Sequence, residues 1–361
     1  MLFTIVTGTR PNLVKAAPLI REFEKEKLPY HFIHTGQHYD NSMVWDILKD
    51  LDMPDPLLDL DISRSKGIER ICGIMQRFAD YCLVNKPNMV IVFGDVDSSL
   101  AIALTANKLK IPVAHIEAGE RSFNRNMPEE INRILIDELS TYLFCSSVNA
   151  SDRLDFSGTW PGQYGCFVGN LMVDQLRSVL NKTENEYAIS SEPYGILTLH
   201  RQSNVDDPKK FERIMNAIAE ISKGINIYYP IHPRAKKYFT DDSERFKNII
   251  FQKPMIYSEF VTALRYSKFI ITDSGGVQVE ASYLNIPTIT LRNETEWPDT
   301  VSRGSNVIIG GADHEHFRTN LSEPVKTILN GKWKQSKFKD MPEYKTNASE
   351  NIVRILKGLK L

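Results

Sequence analysis

Phe269-Ile270-Ile271-Thr272-Asp273-Ser274-Gly275-Gly276-Val277-Gln278-Val279-Glu280 is the stretch whose reading decides the fold. An apolar run, a small-residue turn and a helix-compatible segment follow one another directly. An α/β chain presents unpaired backbone N–H groups and a helix dipole to a phosphate in this way. The turn reads as a diphosphate cradle made by Ser274, Gly275 and Gly276. Ser-Gly-Gly also makes ordinary turns, so the neighbours weigh in the reading. Ser274 adds a hydroxyl beside the amides, and Glu280 falls one to two turns into the helix. A carboxylate there can accept both hydroxyls of a ribose. The ligand suggested is a nucleoside diphosphate.

Outward from this stretch, short β-branched or aromatic runs alternate with longer helical patterns. The runs are Phe3–Val6, His31–His34, Met89–Phe93, Pro112–Ile116 and Tyr142–Cys145, then Gly195–Leu199, Ile225–Tyr229, Ile249–Phe251, Phe269–Ile271 and Pro287–Leu291. Continuous apolar strands between helices indicate parallel sheets covered on both faces. The fold class expected is α/β, with two doubly wound domains. The first is expected over residues 1–170 and the second over 171–345, with a helix near the junction and a polar linker over 181–193. At the C-terminus Ile352, Ile355, Leu356 and Leu359 fall at helical spacing, which predicts a closing amphipathic helix over 346–361.

At 361 residues the chain exceeds the usual size of a single core, which agrees with two domains. Hydrophobic residues make up 42% and charged residues 25%, and the net charge is -1, so no basic stripe points to nucleic acid or an anionic membrane as partner. No window reaches the roughly 18 apolar residues that cross a bilayer. Met1–Val6 lacks a basic leader and reads as a first buried strand. Cys72, Cys82, Cys145 and Cys166 are dispersed without C-x-x-C spacing, and read as reduced core residues of a cytoplasmic protein.

Other strand ends carry chemistry-bearing residues. Thr7-Gly8-Thr9-Arg10-Pro11, with Lys15 beyond, puts Arg10 and Lys15 at the carboxyl end of a sheet, where open α/β folds bind ligands; the alternative is a turn with solvated basic residues. Thr35-Gly36-Gln37-His38 follows the second strand, and His38 is a functional residue or else a surface or satisfied core histidine. Asp95 and Glu117 each continue a buried strand directly. Pro128-Glu129-Glu130-Ile131-Asn132-Arg133 opens a helix with two further acids, which serve either as partners of the helix dipole or in the chemistry. Neighbouring carboxylates can split their pKa values into one acid and one base. In the second half His200, Arg201 and His232 stand at strand ends, and neither H-E-x-x-H nor a compact His/carboxylate cluster is present, so no metal is implied.

Taken together these blocks resemble the non-hydrolysing UDP-N-acetylglucosamine 2-epimerase family. The resemblance runs from about residue 3 to residue 310. It rests on Gly8-Thr9-Arg10-Pro11 with Lys15, Thr35-Gly36-Gln37-His38, Gly94-Asp95, His115-Ile116-Glu117-Ala118-Gly119, Pro128–Arg133, and Gly169-Asn170 with Asp174. His200-Arg201 with Asn204, His232-Pro233, Asp273–Gly276 with Glu280, and Leu291-Arg292 with Thr295-Glu296 complete it in the same order. The resemblance implies a glycosyltransferase-B-like fold of two Rossmann-like domains, a homodimer, and a C-terminal helix that returns to the N-terminal domain. It implies reversible C2 epimerisation of UDP-N-acetylglucosamine to UDP-N-acetylmannosamine without a cofactor, by anti elimination of UDP to a 2-acetamidoglucal and re-addition. Carried over by motif, Asp95, Glu117, Glu129 and His200 are the catalytic candidates. Arg10, Lys15, His38, Arg133, Arg201, His232, Phe260, Ser274, Gly275, Gly276, Glu280 and Arg292 are the substrate-binding candidates, with Glu280 for the ribose and Phe260 for packing on uracil.

The chain departs from the family pattern at Asn12, Glu120, Ser203 and Trp297, where an acid, an apolar residue, a carboxylate and a basic residue are usual. These departures bear on the sugar more than on the fold. They keep open a modified substrate such as a 2,3-diacetamido uronate. A UDP-sugar glycosyltransferase and a non-catalytic UDP-sugar binder are the alternatives outside the epimerases.

Overall fold

The computed structural model describes residues 1–36, 41–60, 67–157, 160–183, 188–238, 246–336, 338 and 341–359. The chain divides into two units, Met1–Gln175 with Met341–Leu361, and Leu176–Asp340. The first unit holds β1 (Phe3–Thr7), β2 (Tyr30–His34), β3 (Leu58–Asp59), β4 (Met89–Phe93), β5 (Val113–Ala118), β6 (Tyr142–Cys145) and β7 (Tyr164–Phe167). They form one seven-stranded parallel sheet in the order β3-β2-β1-β4-β5-β6-β7. The second unit holds β8 (Tyr194–Thr198), β9 (Asn226–Pro230), β10 (Ile249–Gln252), β11 (Phe269–Thr272), β12 (Thr288–Thr290) and β13 (Asn306–Ile308), in the parallel order β10-β9-β8-β11-β12-β13.

Both sheets are therefore Rossmann-like, and each reverses its strand order once, between β1 and β4 in the first and between β8 and β11 in the second. Ligands of open α/β sheets bind at the carboxyl ends of the strands beside such a reversal. The ten strand positions read from the sequence are all present. The three strands that were not read, β3, β7 and β13, are all edge strands. These three are short and mostly half-buried or exposed, so they lack the continuous apolar run that marks the central ones.

Local chemistry explains how the first turn is built. Pro11 stands in the opening turn of the helix Arg10–Lys25, where its missing N–H costs nothing. Asn12 accepts from the Gly8 and Thr9 amides at 3.3 and 3.2 Å and donates through Nδ2 to the Phe93 carbonyl at 3.1 Å. An aspartate could accept those bonds but could not donate the last one. Asn12 thus ties the turn after β1 to the end of β4. The same helix buries Leu13, Val14, Leu19, Ile20 and Phe23, each worth about 1.5–3 kcal/mol when fully removed from water.

The closing helix Ala348–Gly358 packs on Arg10–Lys25 and buries Ile352, Val353 and Leu356. Asp174 accepts from the Ser349 amide at 2.8 Å, and Lys357 pairs with Glu26 at 2.5 Å. The cysteine reading needs a correction. Cys82 and Cys145 are buried, but Cys72 is exposed and Cys166 only half-buried. Cys72 lies on the helix Gly67–Asn85, whose buried face carries Ile74, Phe78, Tyr81 and Cys82, and helical spacing turns Cys72 away from it. Among the described residues no helix is long and apolar enough to cross a membrane.

Candidate active site

In the first unit the candidates gather at the carboxyl ends of β1, β4 and β5. Lys15, one turn into its helix, pairs with Glu117 at 2.5 Å, and both side chains are largely buried. Gly94 lies against this pair: a Cβ there would meet Lys15 Nζ at 3.3 Å, and its φ of +58° is the left-handed backbone that favours glycine. Asp95 pairs with Arg133, which also pairs with Glu130. Asn132 donates to the Asp95 carbonyl at 2.9 Å. Both carboxylates expected at strand ends thus stand on adjacent strands, each held by a cation.

Arg133, a substrate-binding candidate by sequence, is buried between Asp95 and Glu130. Glu130 also accepts from the Ser122 amide and hydroxyl, at 2.8 and 2.9 Å, and from the Phe123 amide at 3.1 Å. Burial would raise its carboxyl, but the Ser122 amide and Arg133 outweigh that and hold it below its ordinary value. Glu129 is its half-buried neighbour in the first turn of Pro128–Leu139. Arg10 opens its helix at the same end of the sheet. His38 lies outside the described residues.

In the second unit the centre is Asp273, fully buried at the end of β11. It accepts from the His200 amide at 3.1 Å, the Arg201 amide at 3.0 Å, Asn204 Nδ2 at 3.2 Å and His200 Nδ1 at 2.7 Å. Burial would raise this carboxyl, yet His200 and the surrounding donors pull it down to about 2. Asp273 so fixes the turn after β8 against the turn after β11, and leaves the outer nitrogen of a 40% exposed His200 side chain facing away. The His232 ring lies 5.9 Å from that of His200, centroid to centroid.

The helix Gly275–Tyr283 begins where the sequence places it, with Ser274 as its N-cap. The Ser274 amide, expected to face a diphosphate together with those of Gly275 and Gly276, donates to Thr272 Oγ1 at 3.0 Å. The amides of Gly275 and Gly276 open the helix, where first-turn N–H groups have no intrahelical acceptor. Glu280 is buried and accepts from the Tyr257 hydroxyl at 2.8 Å. Arg292 forms a two-pronged pair with Glu296 at 2.8 and 2.8 Å, which keeps its guanidinium raised against the opposing effect of burial. Arg201 reaches the same carboxylate at 3.7 Å. Trp297 is buried, with its indole nitrogen 3.4 Å from where a Gly275 Cβ would stand. Phe260 belongs to an apolar core cluster with Tyr194, Ile196 and Ile270. Gln202 and Ser203 are exposed while Asn204 beside them is anchored.

Sequence reasoning left out of the site several residues that organise it: Asp273, Glu296, Tyr257, His115 and Asp137. Two of them carried a signal. Asp273 continues a buried strand as Asp95 does, and His115 interrupts the apolar run Val113-Ala114-His115-Ile116. Glu296 enters only through the Thr295-Glu296 block of the resemblance, and Tyr257 and Asp137 have no comparable mark.

Known proteins similar to this chain identify its family. The family model for UDP-N-acetylglucosamine 2-epimerase matches residues 21–357. The UDP-N-acetylglucosamine 2-epimerase of Methanocaldococcus jannaschii is 39% identical over 376 residues, covering 99% of both chains. A crystal structure of the M. jannaschii enzyme in complex with UDP-GlcNAc and UDP, at 36% identity, superposes with a TM-score of 0.86 over 99% of each chain. The UDP-2,3-diacetamido-2,3-dideoxy-D-glucuronate 2-epimerase of Pseudomonas aeruginosa is 36% identical over 333 residues, 90% of this chain and 94% of its own. With two Rossmann-like units in a glycosyltransferase-B-like architecture and matches along nearly its whole length, this chain belongs to the UDP-N-acetylglucosamine 2-epimerase family of enzymes.

Proposed function

We propose that the protein interconverts UDP-N-acetylglucosamine and UDP-N-acetylmannosamine by anti elimination of UDP and its re-addition to a 2-acetamidoglucal. The observation that carries this reading is the pair of cation-held carboxylates, Asp95 with Arg133 and Glu117 with Lys15, at the ends of adjacent strands. The C2 proton has no neighbouring carbonyl and is poorly acidic, so its removal must be coupled to departure of UDP. A carboxylate takes the C2 proton while the C1–O bond breaks and the electron pair leaves with the diphosphate. A second acid returns a proton to the other face before UDP adds back. Asp95, Glu117 and Glu129 are the groups for these transfers. On the nucleotide side we assign the diphosphate to the Gly275 and Gly276 amides and His200, and the ribose to Glu280, all in the second unit. Donors aimed at charge that develops on a leaving group are commonly the largest single catalytic contribution. A homodimer is part of the same proposal.

The test is proton NMR with UDP-N-acetylglucosamine in deuterated water. Deuterium at C2 together with UDP-N-acetylmannosamine signals is the expected result, and free N-acetylmannosamine would replace this reading with a hydrolysing one. The Pseudomonas relative supports a second reading, epimerisation of a UDP-linked 2,3-diacetamido uronate. Turnover of that sugar and not of UDP-N-acetylglucosamine would select it.

A further inference from the structure

We propose that His115 and Asp137 are positioning residues: a buried strut, in which the His115 ring donates from both nitrogens, locks the turn that carries Asp95 to the turn that carries Glu117. The consequence for turnover rests on the epimerase reading above; the strut itself rests on geometry. His115 is fully buried on β5, and Asp137 is buried in the last turn of Pro128–Leu139. His115 Nδ1 lies 2.7 Å from Asp137 Oδ1, and Nε2 lies 2.8 Å from the Gly94 carbonyl oxygen. A carbonyl and a carboxylate only accept, so a ring with one proton would aim a lone pair at one of them, in a site closed to water. The ring that satisfies both contacts is the imidazolium.

The far side of Asp137 closes the loop. Its Oδ2 accepts from the Gly119 amide at 3.2 Å and pairs with Arg121 at 2.7 Å. Burial alone would raise this carboxyl, but the His115 ring and Arg121 outweigh it and hold it below its ordinary value, so it stays an acceptor. Gly94 immediately precedes Asp95, and His115 and Gly119 stand two residues before and two after Glu117. Glu117 itself has a φ of +72°, at a register shift between Ile116 and Ala118. A non-glycine residue stays in that region only where its surroundings over-determine it. The strut holds the backbone on both sides of it.

Two measurements test the proposal. In wild-type protein with 15N-labelled histidine, the buried ring should show two solvent-protected N–H protons and imidazolium nitrogen shifts. An unprotonated ring nitrogen would overturn the strut whether or not the enzyme turns over. In Asp137→Asn the side-chain carbonyl oxygen can take the place of Oδ2 and still accept from Gly119 and Arg121, which leaves the amide nitrogen where Oδ1 stood, facing His115 Nδ1 as a donor and removing the second ring proton. The kcat for UDP-N-acetylglucosamine should fall by about 100-fold, the scale of a misplaced reacting group. KM and UDP affinity should stay near wild type, because the nucleotide groups of the second unit are untouched. A folded variant with wild-type kcat, or one whose loss lies wholly in KM, would refute the positioning role. If the variant does not fold, the ring spectrum of the wild type decides. Wild-type protein that leaves UDP-N-acetylglucosamine unchanged would count against the epimerase reading, a failure separate from that of the ring spectrum.

Discussion

Glu120→Gln should gain stability relative to wild type as pH rises from 4.5 through 7. Glu120 is 4% exposed, and its Oε1 accepts from the Ser146 and Ser147 hydroxyls, each at 2.8 Å. Burial pushes its carboxyl from 4.5 up to about 7 against the pull of the two serines, and the charge of nearby Glu117 adds to the rise. Between those two values the unfolded chain releases its proton and the folded protein keeps it. The folded state then binds more protons, so stability falls as pH rises through this window. A shift of this size at 1.36 kcal/mol per unit makes the loss about 3 kcal/mol, complete above pH 7 and absent below 4.5. Glutamine does not titrate, so the stability difference between variant and wild type should grow by about 3 kcal/mol from pH 4.5 to 8.5. Any constant cost of burying the amide cancels from that change. Denaturant unfolding of both proteins across the pH series, followed in the transition of the first unit, gives the number. A difference that does not vary with pH would refute the account of Glu120 as a carboxyl kept protonated by burial.

Three further outcomes follow from the geometry. Asp95→Asn and Glu117→Gln should each abolish deuterium incorporation at C2 while UDP still binds, as measured by calorimetry; near-normal turnover would remove that carboxylate from the proton transfers. Asp273 runs the opposite way to Glu120, because its carboxyl is held at about 2 against an ordinary 3.8. It contributes about 2 kcal/mol that is present above pH 3.8 and lost as pH falls towards 2; Asp273→Asn should unfold more easily at neutral pH and lack this acid-dependent step. Gly8→Ala would place a Cβ 2.0 Å from Ser98 Oγ and 2.8 Å from Ser98 Cβ, so it should cost about 1–3 kcal/mol in urea unfolding, partly recovered by adding Ser98→Gly.

The candidate site was legible in position and much less in its partnerships. Asp95, Glu117, His200 and the Ser274 turn are legible as candidates because each stands at the end of a central strand, and the carboxyl edge of a parallel sheet is where such ends meet. A lone arginine in a motif carries no sign of its partner, so the substrate-binding expectation for Arg133 and Arg292 rests on the resemblance alone. Both are buried against carboxylates of their own unit, Arg133 on Glu130 and Asp95, and Arg292 on Glu296. The sequence offers the Ser274 amide as a free donor, but its N–H is taken by a threonine hydroxyl two residues earlier, a bond that depends on how the strand end turns. Asn12 looked like a departure from pattern. Its amide instead makes a donor contact to Phe93 that an acid could not make.

By itself the sequence determined what local order can encode: which runs are buried on both faces, where turns need glycine, which helices are amphipathic, and hence two parallel α/β sheets with chemistry at their strand ends. The tertiary structure alone decided the strands β3, β7 and β13, the exposure of Cys72 and the burial of Glu120. It alone decided which charges meet, Lys15 with Glu117 across 102 positions of chain and His200 with Asp273 across 73. The reason is physical: periodicity reports the environment of a segment averaged over its own length. An ion pair or a buried proton depends on distances of a few ångströms between segments that only the folded sheet brings together.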